Sequence, residues 1–285
     1  MPEYAGRGDP RRTLELLWGR AAAPARGPKQ GLTPLEIARA AIELADADGL
    51  DGVTMRKVAD RLGRSAMSLY TYVPSKAELI DLMLDTALGD LPGSYATGRG
   101  WRADAEASAR AGWEFYQRHP WLLQVSAVRS LMGPNETRAY EATMAVFDGI
   151  GLDGLQMSRI VGLLADFVRG VATSLVDASL AERVTGMSDD EWWHARSPVF
   201  EELAGEDFAE RFPVITRIQS QEDTFSQPFD DSLAEGRSYT EAVALDTFEF
   251  GLARLLDGVE VYIDQVSTDQ VSTDQVSTDQ GGDQG

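Results

Sequence analysis

From residue 33 onward, apolar positions recur at the spacing of one helix face. Leu35, Ala38, Ile42 and Ala45 form the first such set. They follow Thr33-Pro34-Leu35-Glu36, which offers an N-cap, a proline at the first helical position and the glutamate of a capping box. Gly49 supplies the stop. Met55, Val58, Ala59 and Leu62 follow at i, i+3, i+4 and i+7 behind Thr54, so a two-turn helix there has one apolar face and packs inward. The pattern predicts helices at 33–48, 55–62, 66–72, 75–89, 101–118, 121–131, 135–148, 155–180, 188–210 and 238–263. Capping boxes are also expected at Ser75–Glu78, Ser188–Glu191 and Ser238–Glu241. No Asn-Gly or Asp-Gly pair lies between alternating apolar runs, and Asp48-Gly49 and Asp148-Gly149 sit at helix ends, so the fold class is all-α.

Three stretches break the pattern. Residues 1–30 are rich in Ala, Arg, Gly and Pro, with a short helix-like run at 14–18, and read as a flexible basic arm. Residues 212–231 carry Pro213 and Pro228 in a weakly patterned connection. From residue 264 a Asp-Gln-Val-Ser-Thr pentad repeats, with one small apolar residue per period, and a disordered tail over 264–285 is expected.

The 285-residue chain is 43% hydrophobic and has no apolar run near the roughly 18 residues that would span a bilayer. No signal-peptide pattern opens it, and with no Cys it has neither disulfides nor thiolate chemistry; a cytoplasmic protein is expected, with no membrane partner. The formal charge of −20 argues against nucleic acid until it is divided along the chain. Residues 1–76 hold 12 Lys and Arg against 9 Asp and Glu, a net +3, whereas 77–285 hold 14 against 37, a net −23. An acidic body behind a basic head repels DNA everywhere except at the head; charge alone fits equally an acidic surface with a local fluctuation.

The stretch 54–76 decides between these. Gly63 ends the Thr54-capped helix where a left-handed turn is needed, and Ser65 caps a second short helix, which together make a helix-turn-helix. On the second helix Leu69 and Val73 can face the core while Ser68, Tyr70 and Tyr72 point outward, a surface suited to bases and phosphates, with Lys76 adding a charge at the start of the next helix. Residues 33–88, in particular Ala-Asp-Arg-Leu-Gly at 59–63 and Ser-Leu-Tyr-Thr-Tyr-Val-Pro-Ser-Lys at 68–76, resemble the DNA-binding domain of the tetracycline repressor (TetR) family. The resemblance implies a three-helix helix-turn-helix domain over 31–76 and a helical ligand-binding and dimerisation domain over 77–263. It implies that Thr54 binds a phosphate, that Arg56 reads a base or phosphate, and that Ser65, Ala66, Met67, Ser68, Tyr70, Tyr72 and Lys76 lie at the interface. Ala66 and Met67 depart from relatives with polar or proline residues there, so direct readout rests on few side chains.

The resemblance further implies a homodimer on a palindromic double-stranded operator, paired through helices at about 155–180 and 238–263, with reading heads about 34–36 Å apart. The residues alone fit equally a monomer's own core. A small-molecule effector is expected in the C-terminal domain. Trp113, Tyr116, His119, Phe167, Trp192, Trp193 and His194, with Phe115 and Trp121, are the candidates for its pocket, although such aromatic and lone His residues more often serve packing. Entry of the ligand would shift the helix at 75–89 and so the spacing of the heads, and the basic arm would add phosphate contacts. No cofactor and no metal are expected, since two His and no Cys leave the usual ligand sets incomplete. An enzyme is not expected either: the chain has no Gly-rich phosphate loop, nucleophile elbow or His-Glu-x-x-His helix. The function expected is a ligand-responsive repressor.

Overall fold

The computed structural model describes residues 3–20, 32–126, 128–220 and 236–280, with backbone only at 219 and 269–280. The chain divides into two compact units, residues 1–169 with 256–285, and residues 170–255.

The first unit opens with strand β1 (Glu3–Tyr4) and helix α1 (Pro10–Leu17). The reading head follows as α2 (Pro34–Asp48), α3 (Met55–Arg61) and α4 (Ala66–Tyr70), and α5 (Lys76–Leu88) leads out of it. The capping box predicted for α2 is present in both directions, the Thr33 N–H donating to Glu36 at 2.7 Å and the Glu36 N–H to Thr33 Oγ1 at 3.2 Å. Gly49, at φ 75°, closes this helix in a backbone region that a side chain would disfavour. Helices α6 (Trp101–Arg118), α7 (Pro134–Met144) and the first part of α8 (Gly154–Thr185) complete the unit's body. The core runs without interruption from the head into α5, where Leu79, Ile80 and Met83 are fully buried.

The second unit holds the rest of α8, α9 (Asp189–Ala204), α10 (Phe208–Arg211), α11 (Pro213–Gln219) and the start of α12 (Tyr239–Gln280). The boxes predicted at Ser188–Glu191 and Ser238–Glu241 both form. At Ser75–Glu78 only half forms: Ser75 caps α5, but the Glu78 carboxylate meets the Ser75 hydroxyl and the Arg12 guanidinium.

Four expectations need correction. Residues 3–20 are not a loose arm: β1 pairs in parallel with β2 (Val125–Ser126), and α1, capped by Asp9, buries Leu16 and Leu17. Residues 1–2 and 21–30 lie outside the described residues. Among the described residues of 121–131 no α-helix forms. Pro120 keeps His119 out of the helical region, at φ −126° and ψ 66°, a 3-10 turn covers Pro120–Gln124, and Arg169 Nη2 donates to the carbonyls of Leu122, Leu123 and Val125 at 3.3, 3.0 and 2.9 Å in place of helical N–H groups. The helix expected over 188–210 breaks at Gly205, φ 78°, and α11 follows in the stretch expected to be a connection; residues 221–235 lie outside the described set. Finally, the tail continues α12 as far as Gln280, since extending a formed helix costs far less than starting one, and the Ser267 and Thr268 hydroxyls donate to carbonyls one turn back. Residues 281–285 are not described.

Candidate functional site

Local bonds fix the reading surface. Thr54 Oγ1 accepts the Lys57 N–H at 3.2 Å and Ser65 Oγ that of Ser68 at 3.3 Å, so each short helix starts on a side-chain cap. Gly63 takes φ 63° between them, which gives the tight turn. Val58, Leu69 and Val73 are fully buried, and their burial turns the opposite face outward, leaving Met67 77% and Tyr70 43% exposed. Arg56 and Lys76 are exposed; Asp60 lies 3.9 Å from Arg56, an exposed pair of little energetic weight. Lys76 makes no ion pair among the described residues. Ala66 and Tyr72 are half-buried against the core, and Ser68, also half-buried, donates its hydroxyl proton to the Ser65 carbonyl at 2.6 Å. Four of the nine expected contact residues thus offer an exposed outward side chain (Arg56, Met67, Tyr70 and Lys76), and Thr54 and Ser65 are exposed caps.

A joint around the buried His119 ties this head to the body. His119, at the end of α6, places Nδ1 2.8 Å from Asp46 Oδ1 on α2 and Nε2 3.2 Å from Asp90 Oδ2 beyond α5, and the Trp121 indole N–H donates to the same Asp46 oxygen at 2.8 Å. His119 is therefore a structural link and not a pocket residue.

Beyond the joint lies a cavity of about 280 Å³, entirely within the first unit. Leu84 and Leu88 of α5, Ala109, Gly112 and Phe115 of α6, Leu122 and Val125, and Val161, Leu164, Ala165 and Val168 of α8 make it mostly apolar. Tyr95, Ser108, Tyr116, Glu136, Tyr140, Thr143 and Arg169 supply the polar points. Burial pushes the Tyr95 hydroxyl above its ordinary range, against a hydrogen bond with Ser108, so it stays a neutral donor. Arg169 also stands 5.7 Å from the Tyr116 ring centre. The α5 wall is anchored from α7: Asp85 accepts the Asn135 and Glu136 N–H groups at 3.1 and 3.0 Å, and Arg138 donates to the Leu88 and Gly89 carbonyls.

Two family models cover the chain: "Bacterial regulatory proteins, tetR family" matches residues 37–83, and "Tetracyclin repressor-like, C-terminal domain" matches residues 94–263. The chain belongs to the TetR family. It is thus a helix-turn-helix transcriptional regulator. The transcriptional repressor DrrR1 of Streptomyces coeruleorubidus is 40% identical over 265 residues, covering 92% of this chain and 90% of that protein. A transcriptional regulator of Saccharopolyspora erythraea is 32% identical over 175 residues, covering 61% of this chain and 74% of its own. Among solved structures, apo ActR of Streptomyces coelicolor superposes with a TM-score of 0.61 at 22% identity, covering 85% of this chain and 99% of ActR. ActR in complex with actinorhodin gives 0.59 at 24%, covering 80% and 95%. At that identity the likeness establishes the TetR fold.

Of the expected pocket residues, only Tyr116 and Phe115 line the cavity. Trp113 and Trp121 are buried beside it, and Phe167 is half-buried on α8. Trp192, Trp193 and His194 are exposed on α9 in the second unit, the two Trp rings stacked edge to face and His194 bonded to the Asp190 carbonyl. The residues that open the cavity are small ones, not the aromatics. The signal for them is small side chains along the lining, Ala109 and Gly112 on α6, Ala139 on α7 and Ala165 on α8, where larger ones would fill the space. Among the described residues no group of His, Cys, Asp or Glu could hold a metal, and no helix is long and apolar enough to cross a membrane.

Proposed function

We propose that this chain is a cytoplasmic repressor that binds a palindromic operator as a homodimer and leaves it when a small, largely apolar aromatic molecule occupies the cavity. The observation that carries this reading is that α5 serves both ends: Lys76 at its start stands beside the reading surface, and Leu84 and Leu88 near its end line the cavity. A ligand that fits the cavity better in one pose of α5 shifts the head by its differential affinity for the two poses. The His119–Asp46 link adds a second route from α6 to α2. The repressor sense is supported by DrrR1, a small-molecule ligand by actinorhodin in the ActR complex, and its aromatic class by Tyr95, Phe115, Tyr116 and Tyr140 in the lining.

In the head, Arg56, Tyr70 and Lys76 reach phosphates or base edges, Thr54 and Ser65 phosphates, and Met67 meets apolar surface such as a thymine methyl. Support for a dimer comes from apolar side chains that the first unit leaves exposed: Leu155 and Leu163 beside the open Gly162 on α8, and Val261 and Tyr262 beside the open Gly258 on α12. Two copies with two-fold symmetry would set the heads about 34–36 Å apart.

The test uses the absence of Cys. A single nitroxide at Arg39→Cys labels each head once, and the inter-head distance is measured on the operator and after release by planar aromatic compounds screened against a fluorescent duplex. A release that changes the distance, and that is lost in Ala109→Trp, supports the reading. Release with the distance unchanged, or undiminished in Ala109→Trp, contradicts it.

A further inference from the structure

We infer that residues 3–18 are an intramolecular clamp that fastens α5 to the wall of the cavity and sets how readily α5, and with it the head, changes pose. The inference deepens the proposed function and rests on it. The segment lies outside both family-matched ranges, 37–83 and 94–263, so the two domains common to the family are complete without it. Yet it is docked along the route that joins cavity to head.

Its first end holds the cavity wall. Glu3 and Tyr4 pair with Val125 and Ser126, and Val125 lines the cavity. Its second end holds α5. Helix α1 packs on α5 and buries Thr13, Leu16 and Leu17, while Trp18 reaches past it, its indole N–H donating to the Met132 carbonyl at 2.9 Å.

The polar contacts between these ends are the informative ones. Glu78 and Asp81 lie one turn apart on α5, each about 1% exposed. Carboxylates buried so deeply are costly unless bonded. Apart from the Ser75 cap, their hydrogen bonds come from the segment: the Gly6 N–H donates to Asp81 Oδ1 at 2.8 Å, and the Arg12 guanidinium grips Glu78, Nε lying 3.2 Å from Oε1. Gly8 lets the chain pass this close, since a Cβ there would stand 2.8 Å from Thr13 Oγ1 and 3.0 Å from the Glu78 side chain. Any movement of α5 away from the segment breaks charge-assisted bonds and uncovers Leu16 and Leu17, so the clamp favours one of the two poses. Arg12, which the sequence assigns to a DNA-contacting arm, is engaged on Glu78 instead.

The test compares the full-length chain with Gly8→Val, which wedges the segment off without changing charge, Arg12→Ala, and the double variant Leu16→Asp/Leu17→Asp. Two readouts are taken: hydrogen exchange of the free protein, and affinity for a selected operator duplex at fixed salt. The clamp predicts exchange about tenfold faster at 79–88 and at 125–126, with 55–62 unchanged, and an operator affinity altered about fivefold or more, in Gly8→Val as in the others. If α1 becomes unprotected while 79–88 keeps its protection, the clamp is overturned. It is overturned equally if exchange quickens but affinity stays as in the wild type, since the segment is then structural only. If the double variant does not fold, the two single substitutions decide. A wild-type chain that binds no duplex overturns the repressor reading instead, and the exchange result stands apart from it.

Discussion

The reading head and the cavity are built on opposite plans. Between Thr54 and Lys76 the bonds that aim the outward side chains close within a turn, as in Thr54 to Lys57 and Ser65 to Ser68. The cavity is held by bonds across long stretches of chain, Arg169 to the carbonyls at 122–125, Asp85 to 135–136 and Arg138 to Leu88. A surface fixed locally can keep its shape while it moves as a body; a cavity fixed at a distance feels any displacement of the helices around it. The first plan suits a rigid reader and the second a sensor.

The sharpest probe of that contrast is two neighbours on α4. Leu69→Ala removes a fully buried anchor and is expected to cost about 2–5 kcal/mol in denaturant unfolding, taking DNA binding with it. Tyr70→Ala should leave stability within about 0.5 kcal/mol and yet weaken duplex binding by about 1–3 kcal/mol. Equal effects on stability would mean that the head does not separate scaffold from reader. On the cavity side, Arg169→Met keeps the stem and removes the donors to three carbonyls, so urea unfolding should show a loss of about 2–3 kcal/mol; an unchanged midpoint would remove Arg169 as the organiser of that wall.

The joint between the regions comes next. His119→Ala leaves Asp46 with Trp121 alone and should cost about 1–3 kcal/mol, with duplex affinity altered although no reading residue is touched. Lost stability with unaltered binding would reduce His119 to packing. The smallest effect concerns Asp81, whose pKa burial raises above the usual carboxylate range, opposed by the Gly6 N–H. A raised acid favours the fold most where it is protonated, below its unfolded pKa, and that contribution is lost as pH rises through the folded value. Asp81 Oδ2 and Thr13 Oγ1 are both buried without a partner among the described residues. Asp81→Asn keeps the acceptor for Gly6 and removes a charge that burial penalises, so it should stabilise by roughly 1 kcal/mol at neutral pH and less as pH falls. Thermal melts at several pH values check this, and destabilisation at neutral pH would contradict it.

The same division explains what could be read from the chain. Helices α2, α3 and α4 were legible because Thr33, Thr54, Ser65 and Gly63 act within a turn of themselves, and the all-α class followed from apolar spacing. The segment 121–131 departs from its apolar spacing because the carbonyls of Leu122, Leu123 and Val125 are taken by Arg169, far along the chain. Leu16 and Leu17 were hidden in an Arg- and Gly-rich stretch because their partner is α5. The cavity escaped because a space is signalled by small residues, and Ala109 or Ala165 is as common on a packed helix as on an open one. His119, expected at the pocket, bonds Asp46 and Asp90 instead of lining the cavity.

The most direct test of the account is selection of bound duplexes from a random pool by the wild type and by a chain carrying Arg56→Ala and Tyr70→Ala. The account predicts a palindromic motif enriched by the wild type and absent with the variant, at matched salt and equal thermal stability. The same motif from both proteins, or none from the wild type across a range of salt, would contradict it.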